Sequence, residues 1–321
     1  MNGRLAIVVP VRNGGELLRR TVLSCGQSSL TGAEAEVLVF DNCSEDGAPQ
    51  SLPATVGCLP VRVFRNSRDL GRVGNWNRGV EAAAEMGFDF VTFLFAGDTW
   101  LPGTAAERLL ELMIESGADL GFAPYLIVDE SARVLRWSPR VSIEGEAKVA
   151  APSEFLGALM HFGSLPITPL QANMYRLRGD GLPKFDDSRP LTTDMDATLE
   201  YLATAQGPVA VTKAPFCAWL ARRGRVFCSS GLDSFMADHF RQLQLAQQLS
   251  GKPVNWTRAK SVFLLSYLRN AMTFTGWRSA PAVLRRALQH AAAVPGRLNP
   301  LDIAALVVQR FALGKSMVHL A

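Results

Sequence analysis

The sequence predicts an α/β fold, a mostly parallel sheet with helices on both faces, followed by an all-helical C-terminal extension. Three observations carry this. Between residues 5 and 123 short apolar runs alternate with stretches of helical period, the pattern of strands joined by crossover helices. Several of those runs end in polar turn residues, as strands do whose carboxyl ends carry ligand-facing loops. From residue 231 onward only helical periodicity remains.

The elements follow in order. Residues 5–9 are apolar and β-branched and stop at Pro10, a buried strand. Residues 16–27 place Leu17, Leu18, Thr21, Val22 and Cys25 on a helical period. Residues 37–40 form a second strand that runs into Asp41-Asn42-Cys43-Ser44, and residues 61–64 a third. Residues 74–86 read as a helix closed by Gly87. Residues 88–95 are a fourth strand, residues 104–116 a helix with Thr104 as N-cap, and residues 120–123 a fifth strand. Asp41 and Asp98 each follow a strand end, which sets two carboxylates on the ligand-facing rim of the sheet.

From residue 124 the pattern changes. Residues 125–128 and 134–137 form a hairpin around Asp129-Glu130-Ser131. Residues 155–162 are helical, 172–177 a strand, 193–205 a helix, 209–212 a strand and 216–220 strand-like. The extension holds helices at 232–249, 257–274, 281–293 and 300–313. This division gives residues 1–105, 106–230 and 231–321 as three parts.

The 321 residues suit two domains, or one α/β domain with an appendage. Apolar residues make up 48% and charged residues 19%, a composition that excludes intrinsic disorder. The apolar run at 262–268 is stopped by Arg269 and Asn270, well short of the ~20 residues that span a bilayer. The short apolar run at the N-terminus is not a signal peptide by length, so a cytoplasmic location is expected. Five cysteines without CxxC spacing and four scattered histidines argue against a disulfide framework or a zinc site. Net charge is +4, but the segment from Lys252 to the end carries +9 and leaves −5 on the preceding residues. A basic, partly apolar tail suits peripheral contact with an anionic membrane, or a packing module or oligomer interface with a solvated basic face. No recognised nucleic-acid-binding motif accompanies the charge, so nucleic acid is not an expected partner.

Four local patterns stand in order: Val8-Val9-Pro10-Val11-Arg12-Asn13; Val39-Phe40-Asp41-Asn42-Cys43-Ser44-Glu45-Asp46; Arg65-Asn66 through Leu70-Gly71-Arg72-Val73-Gly74-Asn75-Trp76-Asn77; and Phe93-Leu94-Phe95-Ala96-Gly97-Asp98-Thr99-Trp100-Leu101-Pro102. On these the chain resembles a family-two glycosyltransferase of GT-A fold, closely over residues 1–105 and more loosely to 230. The extension lies outside the resemblance.

The resemblance implies a nucleotide-diphosphate sugar donor. Pro10, Val11, Arg12 and Asp41 would meet its base and ribose, although Asp41 also suits an Asx-turn that closes its own loop. Asn66, Gly71, Arg72 and Asn77 would lie against the nucleotide, Arg72 reaching base or phosphate. The alternative is a turn at Gly71 and Gly74 with Asn75 capping the helix. Ala96, Gly97 and Asp98 stand where the family carries an acidic turn, and Asp98 would hold Mn²⁺ or Mg²⁺. Ala96 and Thr99 depart from that acidic pattern, and Asp98 also suits a turn. In Leu191-Thr192-Thr193-Asp194-Met195-Asp196, Asp194 matches the family's general base. Asp196 is a structural or acceptor-binding acid. Acids in a first helical turn are favoured by the dipole alone, with Thr192 or Thr193 as cap. His161 suits packing. Arg222, Arg223 and Arg225 suit either a loop over the donor diphosphate or a solvated charge run.

The expected activity is transfer of a sugar with inversion to an acceptor hydroxyl on a saccharide or lipid-linked acceptor, in surface polysaccharide or glycolipid synthesis. The alternative is a catalytically silent protein on the same fold that binds sugar nucleotides or assists assembly. A dinucleotide-binding oxidoreductase is excluded, because Pro10-Val11-Arg12-Asn13-Gly14-Gly15 lacks the GxGxxG turn.

Overall fold

The computed structural model describes residues 3–27, 30, 34–138, 140–160, 165, 170–178, 181–189, 192–221, 231–275, 280–292, 296–301, 304 and 317–319. The chain runs β1 (Arg4–Val11), α1 (Gly15–Cys25), β2 (Glu34–Asp41), β3 (Thr55–Val56), β4 (Leu59–Arg65), α2 (Gly71–Glu85), β5 (Phe90–Phe93), β6 (Thr99–Trp100) and α3 (Ala105–Ser116). It continues with β7 (Leu120–Phe122), β8 (Tyr125–Val128), β9 (Val134–Ser138), β10 (Arg140–Ser142), β11 (Ala147–Ala150), α4 (Pro152–Met160), β12 (Asn173–Arg176), α5 (Thr193–Thr204), β13 (Val209–Thr212) and β14 (Cys217–Leu220). Last come α6 (Gly231–Ser250), α7 (Trp256–Thr275), α8 (Ala280–Ala292) and β15 (Met317–His319).

Among the described residues a nine-stranded sheet has the order β11-β13-β7-β12-β5-β1-β2-β4-β3. β5, β1, β2 and β4 are parallel, as the strand–helix alternation predicts. β1 is apolar and buried from Leu5 through Val11 because it has neighbours on both sides and helices over both faces. β12 enters between β5 and β7 antiparallel to both, a reversal that the sequence pattern does not announce. A smaller sheet, β6-β14-β8-β9, contains the predicted hairpin of β8 and β9.

α2 begins three residues before the expected Gly74. Gly71 at φ +71° turns the chain into it, and Asn75 therefore lies inside the helix and does not cap it. Its end matches expectation. Gly87 at φ +74° donates its N–H to the Ala84 carbonyl and Phe88 donates to that of Ala83, a left-handed closure that glycine accepts without steric cost. The helix lies tightly on β1, since a Cβ at Gly79 would stand 2.5 Å from Val8 Cγ1. Thr104 occupies the N-cap position of α3, but its hydroxyl makes no capping hydrogen bond.

α6 packs on α4 and α5, and α7 on α6 and α8. Phe240, Leu243, Ala259, Phe263 and Tyr267 share one buried cluster with Val8, Phe40 and Phe93 of the sheet. The extension thus completes the cover of the main core. β15 pairs in parallel with β10, so the extension is not helical throughout, and a run as short as Met317–His319 carries no periodic signal. Of the helix expected at 300–313, residues 300, 301 and 304 are helical and the others lie outside the described residues. Among the described residues no helix is long and apolar enough to cross a membrane.

Candidate active site

The carboxyl ends of β1, β2 and β5 and the amino ends of α2 and α5 converge on one rim. Asp41 is the last residue of β2, and its carboxylate is fully buried. One oxygen accepts the Ser44 N–H at 2.8 Å and the other a guanidinium N–H of Arg65 at 2.6 Å. Arg65 ends β4 in register with Asp41. Pro10 and Val11 are buried in β1. Arg12, just past the strand, is half-exposed and pairs with Asp69. Asp69 also takes the Gly71 N–H and the Asn42 amide. The Gly71 N–H first, then Asn42 and Arg12, hold its carboxyl below the usual range. Asn66 donates to Asn42 at 3.0 Å and to Asn75 at 2.8 Å, and Asn75 donates to the Phe40 carbonyl at 2.9 Å. These bonds fix the loops, and they engage the polar end of Asn66 inside the protein.

Arg72 stands in the first turn of α2, its guanidinium 5.1 Å from the centre of the Trp76 ring. Trp76 in turn lies 5.1 Å from the ring of Phe95, in the turn after β5. Phe185 closes this aromatic group edge-on to Trp76 and Phe93. Asn77 holds Phe185 in place by donating to its carbonyl at 2.8 Å and accepting its N–H at 2.9 Å.

Asp98 is 1% exposed. One carboxylate oxygen accepts the Leu220 N–H at 3.0 Å and the other the Gln171 amide at 2.7 Å. The Gly97 N–H is taken by the Thr21 hydroxyl, which donates to the Asp98 carbonyl. The turn is therefore tied to α1, to β14 and to the segment before β12. A hard cation needs carboxylate oxygens open to it. Those of Asp98 are buried and both already accept bonds, while Ala96 and Gly97 supply no side-chain oxygen. Among the described residues no three His, Cys, Asp or Glu side chains are grouped to hold a metal. These residues do not fit a resident Mn²⁺ or Mg²⁺.

Asp194 and Asp196 both lie in the first turn of α5, on nearly opposite sides of the helix, with different surroundings. Asp194 is half-buried, and one oxygen accepts the Met195 N–H at 2.9 Å. Burial pushes its carboxyl up to about 6, with Asp196 adding to the rise and the Met195 N–H and Arg72 opposing it. Partial burial lowers Arg72, and Asp194 and Asp187 act on it in the opposite direction. Asp196 is buried and takes Arg241 at 2.5 and 2.6 Å and Gln242 at 2.8 Å. The Thr192 hydroxyl donates to Asp238 at 3.0 Å and makes no cap.

Arg12, Arg72 and Asp194 thus keep accessible charged ends on the rim, while Asp41, Asn66, Asn77 and Asp98 engage theirs within the fold. Arg241, Gln242 and Asp238 carry no local signal, because their partner is on another helix more than forty residues away. Arg65 is different: an acid and a base ending adjacent parallel strands is a readable pattern. Gln171 and Asp69 were also not singled out by the sequence. His161, Arg222, Arg223 and Arg225 lie outside the described residues.

The sequence profile of the family described as glycosyl transferase family 2 matches residues 6–178, more than half of the chain. No curated protein sequence matches. Among solved structures the fold is similar to S. aureus TarS 1-349 in complex with UDP, with a TM-score of 0.57 and 14% identity over 98% of this chain and 92% of that one. It is similar to TarS 1-349 in complex with UDP-GlcNAc at a TM-score of 0.58 and 14% identity, over 98% and 93% of the two chains. A longer TarS structure gives 0.54 and 14% over 91% of this chain and 54% of that one. The shared architecture is the GT-A fold.

Proposed function

Since this chain belongs to glycosyl transferase family 2, we propose that it is an inverting hexosyltransferase that uses a nucleoside-diphosphate sugar. Asp194 removes the proton from an acceptor hydroxyl as that oxygen attacks the anomeric carbon. The bond to the donor phosphate breaks in the same step, and its electron pair leaves on the nucleoside diphosphate. The observation that carries this reading is the Asp194 carboxyl, half-buried on the rim in the field of Arg72 and raised to about 6. A carboxyl so placed is a stronger base than a solvated one and is still ionised at neutral pH.

In this reading residues 1–105 hold the donor. Pro10, Val11 and Arg12 lie along the base and ribose, and Asp41, Asn66 and Asn77 fix the loops around them. Ala96 and Gly97, which have no bulk, let the turn after β5 approach the sugar phosphate. Residues 106–230 face the acceptor, and residues 231–321 brace the helix that bears the base. UDP and UDP-GlcNAc in the TarS complexes support a nucleotide-sugar donor and make UDP-GlcNAc the first to try. A saccharide or lipid-linked acceptor in surface polysaccharide or glycolipid synthesis fits the +9 tail, which would sit on the anionic inner face of a membrane.

The test is release of nucleoside diphosphate from a panel of nucleotide sugars, with and without saccharide acceptors. The expected result is release from one donor, lowered by about 10²–10⁴ in Asp194→Asn with donor binding retained. A donor that binds and is never turned over would favour the silent binding protein, a reading that the lack of open acids after β5 supports.

A further inference from the structure

The geometry points to a donor diphosphate held by the Arg72 guanidinium, with no divalent cation in the site. This rests on the glycosyltransferase reading above and changes how its leaving group is neutralised. The first half of the argument is the state of the turn after β5. Phe95 turns its ring into the group formed by Trp76, Phe93 and Phe185, Ala96 and Gly97 carry no side-chain oxygen, and Asp98 is sealed under Leu220 and Gln171. Freeing an Asp98 oxygen for a cation would break a buried hydrogen bond and leave its donor unpaired, an unfavourable exchange.

The second half is the position of Arg72. Its guanidinium lies 5.1 Å from the centre of the Trp76 ring, and Trp76 packs on Phe95 of that turn, so a positive charge stands on the same side of the site, linked to the turn through two aromatic rings. Among the described residues no carboxylate lies within ion-pair distance of Arg72, and Asp194 and Asp187 act on it only through space. Among the described residues its donors meet no hydrogen-bond or ion-pair partner, whereas those of Arg12 face Asp69. A guanidinium is planar and offers a fork of N–H donors, which can receive two phosphate oxygens at once. A diphosphate bound there also has part of its charge offset without a metal as the sugar leaves.

Calorimetry of the full chain with UDP, GDP, CDP and dTDP, each in EDTA and in Mn²⁺ or Mg²⁺, tests this. The tightest nucleotide is expected to bind with a Kd that changes by less than about threefold between the two conditions. Arg72→Gln, whose side chain is exposed in the wild type and whose fold is checked by its melting curve, should weaken that nucleoside diphosphate by about tenfold or more. It should leave the free nucleoside unchanged, and Arg72→Lys should fall between. Asp98→Asn should lower the melting temperature and leave the folded protein as indifferent to metal as the wild type. Binding that appears only with the cation, or nucleoside diphosphate affinity unchanged in Arg72→Gln, overturns the proposal and leaves the glycosyltransferase reading standing. Binding of no nucleotide in either condition overturns both.

Discussion

A base that must take a proton from a sugar hydroxyl works only when it carries none itself. With Asp194 raised to about 6, kcat/KM is expected to rise through about pH 6 with a slope of one proton and then level off. Arg72 holds that carboxyl down, so Arg72→Gln should move the limb to higher pH, which a pH–rate profile of both proteins reads. The same group bears on stability. Its folded pKa exceeds the ordinary value of about 3.9, so between those two values the folded state binds more protons than the unfolded one. Stability from this group therefore falls as pH rises across that window, and the loss persists at neutral pH. Asp194→Asn should accordingly melt slightly higher than wild type at pH 7. At this scale the sequence shows residue types at strand ends and not their direction. Asp41 and Asp98 look alike as acids after apolar runs, and burial turns both inward, where Arg65, Ser44, Leu220 and Gln171 take their oxygens. Those partners are set by register and by distant segments, which no local spacing encodes.

Elements are legible where one segment contains the whole reason for its shape. β1, β2 and β4 are apolar runs long enough to be read directly, and the closure of α2 needs only Gly87. β12, four residues long, falls within the strand read at 172–177, but its antiparallel place between β5 and β7 depends on the two edges they offer it. β6 and β15, shorter still, exist only through β14 and β10. The contact of α2 with β1 is a further case, since Gly79 reads as a flaw in a helix until Val8 is seen beneath it. Gly79→Ala should therefore destabilise the protein by about 1–3 kcal/mol through overpacking, against the gain of a few tenths to about 1 kcal/mol that alanine brings in an open helix. A urea titration that shows stabilisation would refute this packing account.

On the scale of the whole molecule the extension, which the family resemblance does not reach, touches the site. Arg241 and Gln242 of α6 hold Asp196, two residues from the proposed base. Arg241→Ala leaves a buried carboxylate without its charge partner and should cost about 3 kcal/mol. It should also lower transfer in the folded protein while UDP still binds, which turnover and calorimetry on one preparation separate. The charge of the segment from Lys252 on is legible in the sequence, and the hold of α6 on α5 is not, because an ion pair between helices depends on how they dock. The insertion of β12 between β5 and β7 has one more consequence, which concerns the making of the protein. Phe93 closes β5, and Asn173 opens the strand that covers its free edge. A ribosome adding about 5–20 residues per second needs seconds to cover the interval between them. For that time the nascent chain carries an open, apolar strand edge, the kind that other chains can pair with. Slower initiation or a lower growth temperature, which keeps fewer such chains near one another, should raise the yield of folded protein more than any change to the finished surface.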